Sequence, residues 1–180
     1  MAHARVPKKL SGEALWEYAL RALGGRAYSA SQLRQKLRRR AESPDDVNAI
    51  MSKLREYGLA DDQKFSELFA ASRLANAGFG QFRVLQELRS KQVAPAIAEK
   101  AVAGAFAGTD EKQLAEKLLL RKYKGKDLAA FLSEDKNLAS AYRRLRTAGF
   151  SSAATLSVLK RYSRRAEECE PADDSETTGA

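Results

Sequence analysis

The chain has 180 residues, of which 44% are hydrophobic and 31% charged, a balance that suits a folded protein and excludes disorder over most of its length. Its formal net charge of +9 understates the basic part: residues 167–180 hold six acids and no Lys or Arg, so residues 1–166 carry 32 basic against 17 acidic side chains, about +15. A single cysteine, Cys169, and a single histidine, His3, exclude an internal disulfide and a thiolate–imidazole zinc site; no apolar run approaches the roughly 20 residues that cross a bilayer.

The first ten residues lack an apolar h-region, so a secretory signal is not expected and the cytoplasm is the expected location. Apolar residues then recur at three and four places almost throughout, while strand signals are nearly absent. A first helix is expected over Gly12–Leu23, with Leu15, Tyr18, Ala19 and Leu23 on one face and Gly24-Gly25 closing it. Ser29 and Gln32 form an S-x-x-Q start for a second helix anchored by Leu33 and Leu37. Ser43-Pro44-Asp45-Asp46 offers a cap, a pre-set first residue and two carboxylates for the positive first turn of a third, which carries Val47, Ile50, Met51 and Leu54 before Gly58.

The plan recurs. One helix carries Phe65, Leu68, Phe69 and Leu74, Gly78-Phe79-Gly80 breaks it, and another carries Val84, Leu85 and Leu88. Pro95 opens a further helix with Ile97, Ala101, Val102 and Ala105 inward. Asp110 and Gln113 mark the next start, followed by Leu114, Leu118 and Leu119. Residues 124–136 read as a longer connection. Leu138, Ala141, Tyr142 and Leu145 make a helix ended by Gly149, and Leu156, Val158, Leu159 and Tyr162 make the last.

Leu37, Leu88 and Leu145 align at intervals of 51 and 57 residues, and Gln92-Val93 and Gly149-Phe150 follow the last two by four and five. Such spacing points to tandem units, although amphipathic helices of similar length also align through a shared leucine. The expected fold is all-α, three tandem three-helix repeats forming an elongated, curved body. Its expected divisions are a flexible basic N-terminus (1–11), repeats at 12–59, 60–108 and 109–166, and a disordered acidic tail (167–180).

Several side chains have plain structural readings. Asp61 or Asp62 is expected to cap a helix. Phe65 and Phe69, four apart, are expected in a core stripe rather than under a nucleobase. Trp16 is expected to be buried, and Tyr18, Tyr123, Tyr142 and Tyr162 to form core edges.

The basic clusters are the candidate contact residues: Arg34, Lys36, Arg38, Arg39 and Arg40; Arg143, Arg144 and Arg146; and Lys160, Arg161, Arg164 and Arg165. Arg121, Lys122, Lys124 and Lys126 form a further run. Such groups suit phosphates or acidic protein surfaces, and equally complement the negative C-terminal ends of helices. No G-x-x-x-x-G-K-[ST] loop, metal cluster or Ser–His or Cys–His pair suggests catalysis, so neither an enzyme nor a cofactor is expected.

The stretch Tyr57-Gly58-Leu59-Ala60-Asp61-Asp62-Gln63-Lys64-Phe65, continued by Phe69 and Arg73, resembles the linking segment of the RecX family of RecA regulators. Ser31-Gln32-Leu33-Arg34-Gln35-Lys36-Leu37 is similar to that family's first S-x-x-L-x-x-K-L type motif. Gly80 to Leu88 with Lys91-Gln92-Val93 is similar to its second, where the family tends to glycine at the place of Gln92, and Tyr142 to Phe150 to its third. The resemblance runs from about Gly12 to Tyr162. It implies a bacterial cytoplasmic protein of three tandem three-helix units that binds RecA and the RecA–DNA filament. Separately, single- or double-stranded DNA is a further expected partner, and a monomer without membrane association is expected. Members of the family lodge in the filament groove, oppose its growth and reduce RecA ATPase, strand-exchange and coprotease activities. The rival expectation is a DNA-binding protein or transcription regulator acting without RecA, since short three-helix units with a basic helix also resemble helix-turn-helix readers.

Overall fold

A computed structural model describes residues 9–169. Among these the chain is helical throughout, with one isolated bridge between Leu10 and Ala41 in place of any sheet. No helix among them is long and apolar enough to cross a membrane. Contacts divide the described residues into two compact units, one of residues 9–71 and 85–105 and the other of residues 72–84 and 106–169. The expected second repeat is therefore shared between the units.

In the first unit, α1 (Gly12–Gly25), α2 (Ala30–Arg38) and α3 (Pro44–Glu56) pack pairwise on one another. Their starts follow from the sequence. Ser29 and Ser43 each accept from the amide three residues on, while Gln32 and Asp46 reach back to the cap amide, so two orphan donors are satisfied at each end. The buried stripe is Leu15, Ala19, Leu33, Leu37, Val47, Ile50, Met51 and Leu54. A side chain such as Leu37, fully buried, contributes about 2 kcal/mol by leaving water.

Two expectations fail here. The first helix runs on through Gly24 and Gly25 and ends at an extended Arg26, because neither glycine takes the left-handed conformation that would close it earlier. The end of the expected flexible N-terminus is tied down at its tenth residue: Leu10 N donates to Arg40 O at 2.7 Å and its carbonyl accepts from Glu42 N at 2.9 Å. Residues 1–8 lie outside the described residues.

The rest of this unit comprises α4 (Asp62–Ser72, but for its last residue), α5 (Gln81–Ser90, from Leu85 on) and α6 (Pro95–Ala105). Asp61 caps α4 by accepting from Gln63 N and Lys64 N, whereas Asp62 turns to another helix start and accepts from Ala30 N at 2.8 Å. Phe65 and Ala70 are buried and Phe69 half-buried, but Leu68 is 71% exposed. It sits on the opposite side of the helix from Ser66 and Ala70. Trp16 is half-buried rather than enclosed, its ring 5.8 Å from Tyr57 and under Lys53.

In the second unit, α7 (Glu111–Lys122), α9 (Asp135–Thr147) and α10 (Ser152–Leu159) pack mutually around Leu119, Leu138, Tyr142, Leu145, Phe150 and Leu159. Between them the expected loop contains a helical turn, α8 (Leu128–Phe131), capped by Asp127, which buries Leu128 and Leu132 in the same core. A cap and two well-placed leucines suffice for one turn where period-based reading, which needs two or three, sees nothing. Asp110 caps α7 as expected. Arg73–Ala77 forms a π turn closed by Gly78 at φ +64°, and Arg121 Nη2 donates to Ala77 O at 2.5 Å. A 3₁₀ turn, Arg164–Cys169, includes the first residues of the expected tail; residues 170–180 lie outside the described residues.

Gly80 and Gly149 allow the start of α5 to meet the end of α9. Gly80 N donates to Ala148 O at 2.8 Å, and a Cβ added at Gly80 would stand 2.2 Å from Gly149 O. A Cβ at Gly149 would stand 2.3 Å from Arg83 N. Backbones this close leave room only for hydrogen.

Candidate partner-binding surfaces

The twelve predicted basic residues fall into distinct surroundings. In the first unit Arg34 is tied to Asn48 by a 2.8 Å bond, and Arg38 and Arg39 are exposed. Lys36 Nζ lies 5.6 Å from the Tyr18 ring centre and 5.5 Å from that of Tyr28, and Arg40 packs 5.2 Å from Tyr18. Arg26 stacks 4.4 Å over Tyr28. Its hydrogen bond to the phenol, aided by Lys36, lowers the Tyr28 pKa against the opposing effect of desolvation. Arg26, Lys36 and Arg39 border a recess of about 200 Å³ with Tyr28, Gln32 and Gln35.

In the second unit Arg143 and Arg144 border a recess of about 380 Å³, with Arg83 and Lys122 as further cations and Phe79, Leu118 and Ala148 as apolar wall. Arg83 lies 3.8 Å over Phe79 and donates to Thr147 O. Arg146 instead serves the fold, donating to Phe150 O at 2.7 Å. Arg161 pairs with Glu116 at 2.7 Å and Arg165 with Asp135 at 3.0 Å. Lys160 and Arg164 are exposed. The structure thus gathers Lys36 and Arg39 on one face of the first unit and Arg143 and Arg144 on one face of the second, while Arg34, Arg146, Arg161 and Arg165 hold neighbouring elements.

Arg26, Tyr28, Phe79 and Arg83 were invisible as site residues in the sequence. Arg26 and Tyr28 lie before a cap and Lys36 two turns after it, and only the folded path from α1 into α2 brings them together. Arg83 sits in a break-and-restart segment whose partner, Thr147, is 64 residues away. Among the described residues no group of three or more His, Cys, Asp or Glu is placed to hold a metal ion. The chemistry these surfaces offer is cationic, suited to phosphates or carboxylates.

Regulatory protein RecX of Deinococcus radiodurans is 33% identical over 164 residues, which cover 91% of this chain and 74% of that protein. The chain belongs to the RecX family. Two family profiles match it by parts: "RecX, first three-helix domain" over residues 16–54 and "RecX, second three-helix domain" over residues 61–102. Regulatory protein RecX of Halorhodospira halophila is 38% identical over 90 residues, half of this chain and 55% of that protein. The crystal structure of RecX from Lactobacillus salivarius superposes with a TM-score of 0.63 at 19% identity, over 82% of this chain and 94% of that one, which shows a shared fold. The profile boundaries follow the order of the elements: residues 16–54 run from α1 into α3, and residues 61–102 start at the Asp61 cap and run into α6.

Proposed function

We propose that the chain is a regulatory protein that binds RecA and its nucleoprotein filament, and that it restrains filament growth, ATP hydrolysis, strand exchange and coprotease activity by occupying the filament groove or its end without covalent chemistry. In this reading three tandem three-helix repeats, at 12–59, 60–108 and 109–166, are the units of recognition, and the protein works in the cytoplasm as a monomer. The observation that carries the proposal is family membership across nine-tenths of the chain. The two basic faces supply what such a role needs, since a positive field speeds encounter with polyanions and acidic protein surfaces.

The test is ATP turnover by RecA on single-stranded DNA with purified protein added. Inhibition at far below one regulator per RecA supports capping of filament ends, whereas inhibition only at full occupancy supports groove binding. Charge reversal at Arg143→Glu with Arg144→Glu is expected to weaken inhibition at least about tenfold, because each contact changes sign. Unchanged RecA turnover at saturating protein would defeat the proposal, and base-specific protection of duplex DNA beside it would favour a RecA-independent DNA-binding role.

A further inference from the structure

The cations on the α1–α2 face of the first unit are held by rings. Arg26, Tyr28, Lys36, Tyr18 and Arg40 alternate, with cation-to-ring distances of 4.4, 5.5, 5.6 and 5.2 Å in that order. The negative face of each ring attracts the cation above it and limits the orientations a long flexible side chain can adopt. Ordering such side chains is ordinarily part of what binding must overcome, so a site whose cations are already ordered binds more tightly for the same contacts.

The recess beside this ladder is lined by Arg26, Tyr28, Gln32, Gln35, Lys36 and Arg39. The Gln32 oxygen accepts from Ser29 N and the Gln35 amide donates to Gln92, so both glutamines are partly engaged within the fold and the cations supply the charge that meets a ligand. Among the described residues, Arg26, Lys36, Arg39 and Arg40 have no carboxylate ion-pair partner. Like charges gathered in this way repel one another, and an anion placed among them relieves the repulsion.

We infer that this recess is a phosphodiester-binding site for a nucleic-acid backbone, with Arg26, Lys36 and Arg39 as the phosphate contacts and Tyr28 and Tyr18 as the supports that position them. The inference deepens the proposed function and rests on its reading of this face as a partner surface. Phosphate fits better than an acidic peptide because the walls are polar and cationic, without the apolar floor that Leu118 and Phe79 give the recess of the second unit. The rings serve the cations rather than a stacked base, since the Tyr28 ring already carries two of them.

The test uses the full chain without RecA, so loss of this site and failure of RecA inhibition are read separately. Binding of a fluorescent thymidine oligonucleotide and of a duplex of equal length is followed by anisotropy across a salt series. Arg26→Gln and Lys36→Gln are each expected to weaken binding about three- to tenfold and to reduce the slope of log affinity against log salt by about one, the mark of a lost phosphate contact. Tyr28→Leu keeps every charge, and is expected to weaken binding while leaving the slope unchanged. Arg55→Gln, on α3 of the same unit, is the control. Comparison of the two oligonucleotides tells which backbone the site prefers. A wild-type slope in both glutamine variants overturns the site, and full affinity in Tyr28→Leu overturns the role of the ring. Capture of poly-glutamate that depends on Arg26 and Lys36, with oligonucleotide binding indifferent to them, would overturn it in favour of an acidic protein ligand.

Discussion

Gln92 and Gly149 occupy the same corner of two different helices. Each follows its anchor leucine, Leu88 or Leu145, by four residues, and each has a left-handed backbone, φ +59° and +92°. The amides around them bond alike: Gln92 N to Arg89 O and Val93 N to Leu88 O in one, Gly149 N to Arg146 O and Phe150 N to Leu145 O in the other. This is the closing turn of a helix for which glycine is the ordinary choice. Gln92 tolerates it because its Oε1 accepts from Ser31 Oγ and Gln35 Nε2, both at 2.6 Å. Gln92→Ala keeps the strained backbone and loses both bonds, so it is expected to cost about 1–2 kcal/mol. Gln92→Gly loses the bonds but relieves the strain, and is expected to stay within about 1 kcal/mol of the parent. Urea unfolding midpoints check the pair; a glycine variant less stable than the alanine variant would contradict this account.

At Gly149 the same replacement has a different outcome. A new Cβ there meets Arg83 backbone at 2.3 Å, and one at Gly80 meets Gly149 O at 2.2 Å. Backbone cannot swing aside as a side-chain tip can, so Gly149→Ala and Gly80→Ala are each expected to cost about 3 kcal/mol or more. Gly104→Ala, with nothing within 4 Å of the added carbon, is expected to be neutral or slightly stabilising. Thermal melting of the three variants side by side tests the ranking.

The starts of helices were legible at Ser29, Ser43 and Asp110 because a cap is a local matter, decided by one side chain and amides two or three residues away. The anchor leucines were legible for the same reason, as periodicity is local. What escaped was long-range or too short to show a period. The single turn of α8 carries only two buried leucines; the exposure of Leu68 depends on which side of α4 meets its neighbours; and Gly24-Gly25 looks like a stop that the helix passes through. Among the basic residues, sequence alone could not separate Arg146, spent on Phe150 O, from Arg143 and Arg144, which border a recess. That distinction depends on which way a side chain leaves its helix.

Ser29 joins two levels of the fold. Its fully buried hydroxyl accepts from Gln32 N to cap α2, and donates to Lys91 O at 2.6 Å beside the Gln92 corner. Ser29→Ala removes a cap worth about 1 kcal/mol and leaves a carbonyl without its donor, for a total of about 2 kcal/mol. Asp62→Ala, which deprives Ala30 N of its acceptor, is expected to cost about 1 kcal/mol. Because both act on the first turn of α2, the double variant is expected to differ from the sum of the singles, which a double-mutant cycle in denaturant measures.

Tyr162 provides a pH-dependent prediction. Burial and a 2.8 Å hydrogen bond donated to Glu116 both favour the neutral phenol, and its pKa is raised above the ordinary tyrosine value. A folded-state pKa above the unfolded one adds stability that is fully present below the unfolded value and lost as pH rises through the folded value. At neutral pH, Tyr162→Phe is expected to cost about 1 kcal/mol through the lost bond to a partly buried carboxylate, which Arg161 still neutralises. The gap between parent and variant should then close as pH climbs past the ordinary tyrosine range, since only the parent must lose a proton beside Glu116. Tyr28, shifted the other way by Arg26, is expected to ionise before Tyr162 when tyrosinate absorbance is followed. Unfolding curves at stepped alkaline pH decide the matter, and a parent–variant gap that holds constant across the series would mean that the Tyr162–Glu116 contact does not carry this part of the stability.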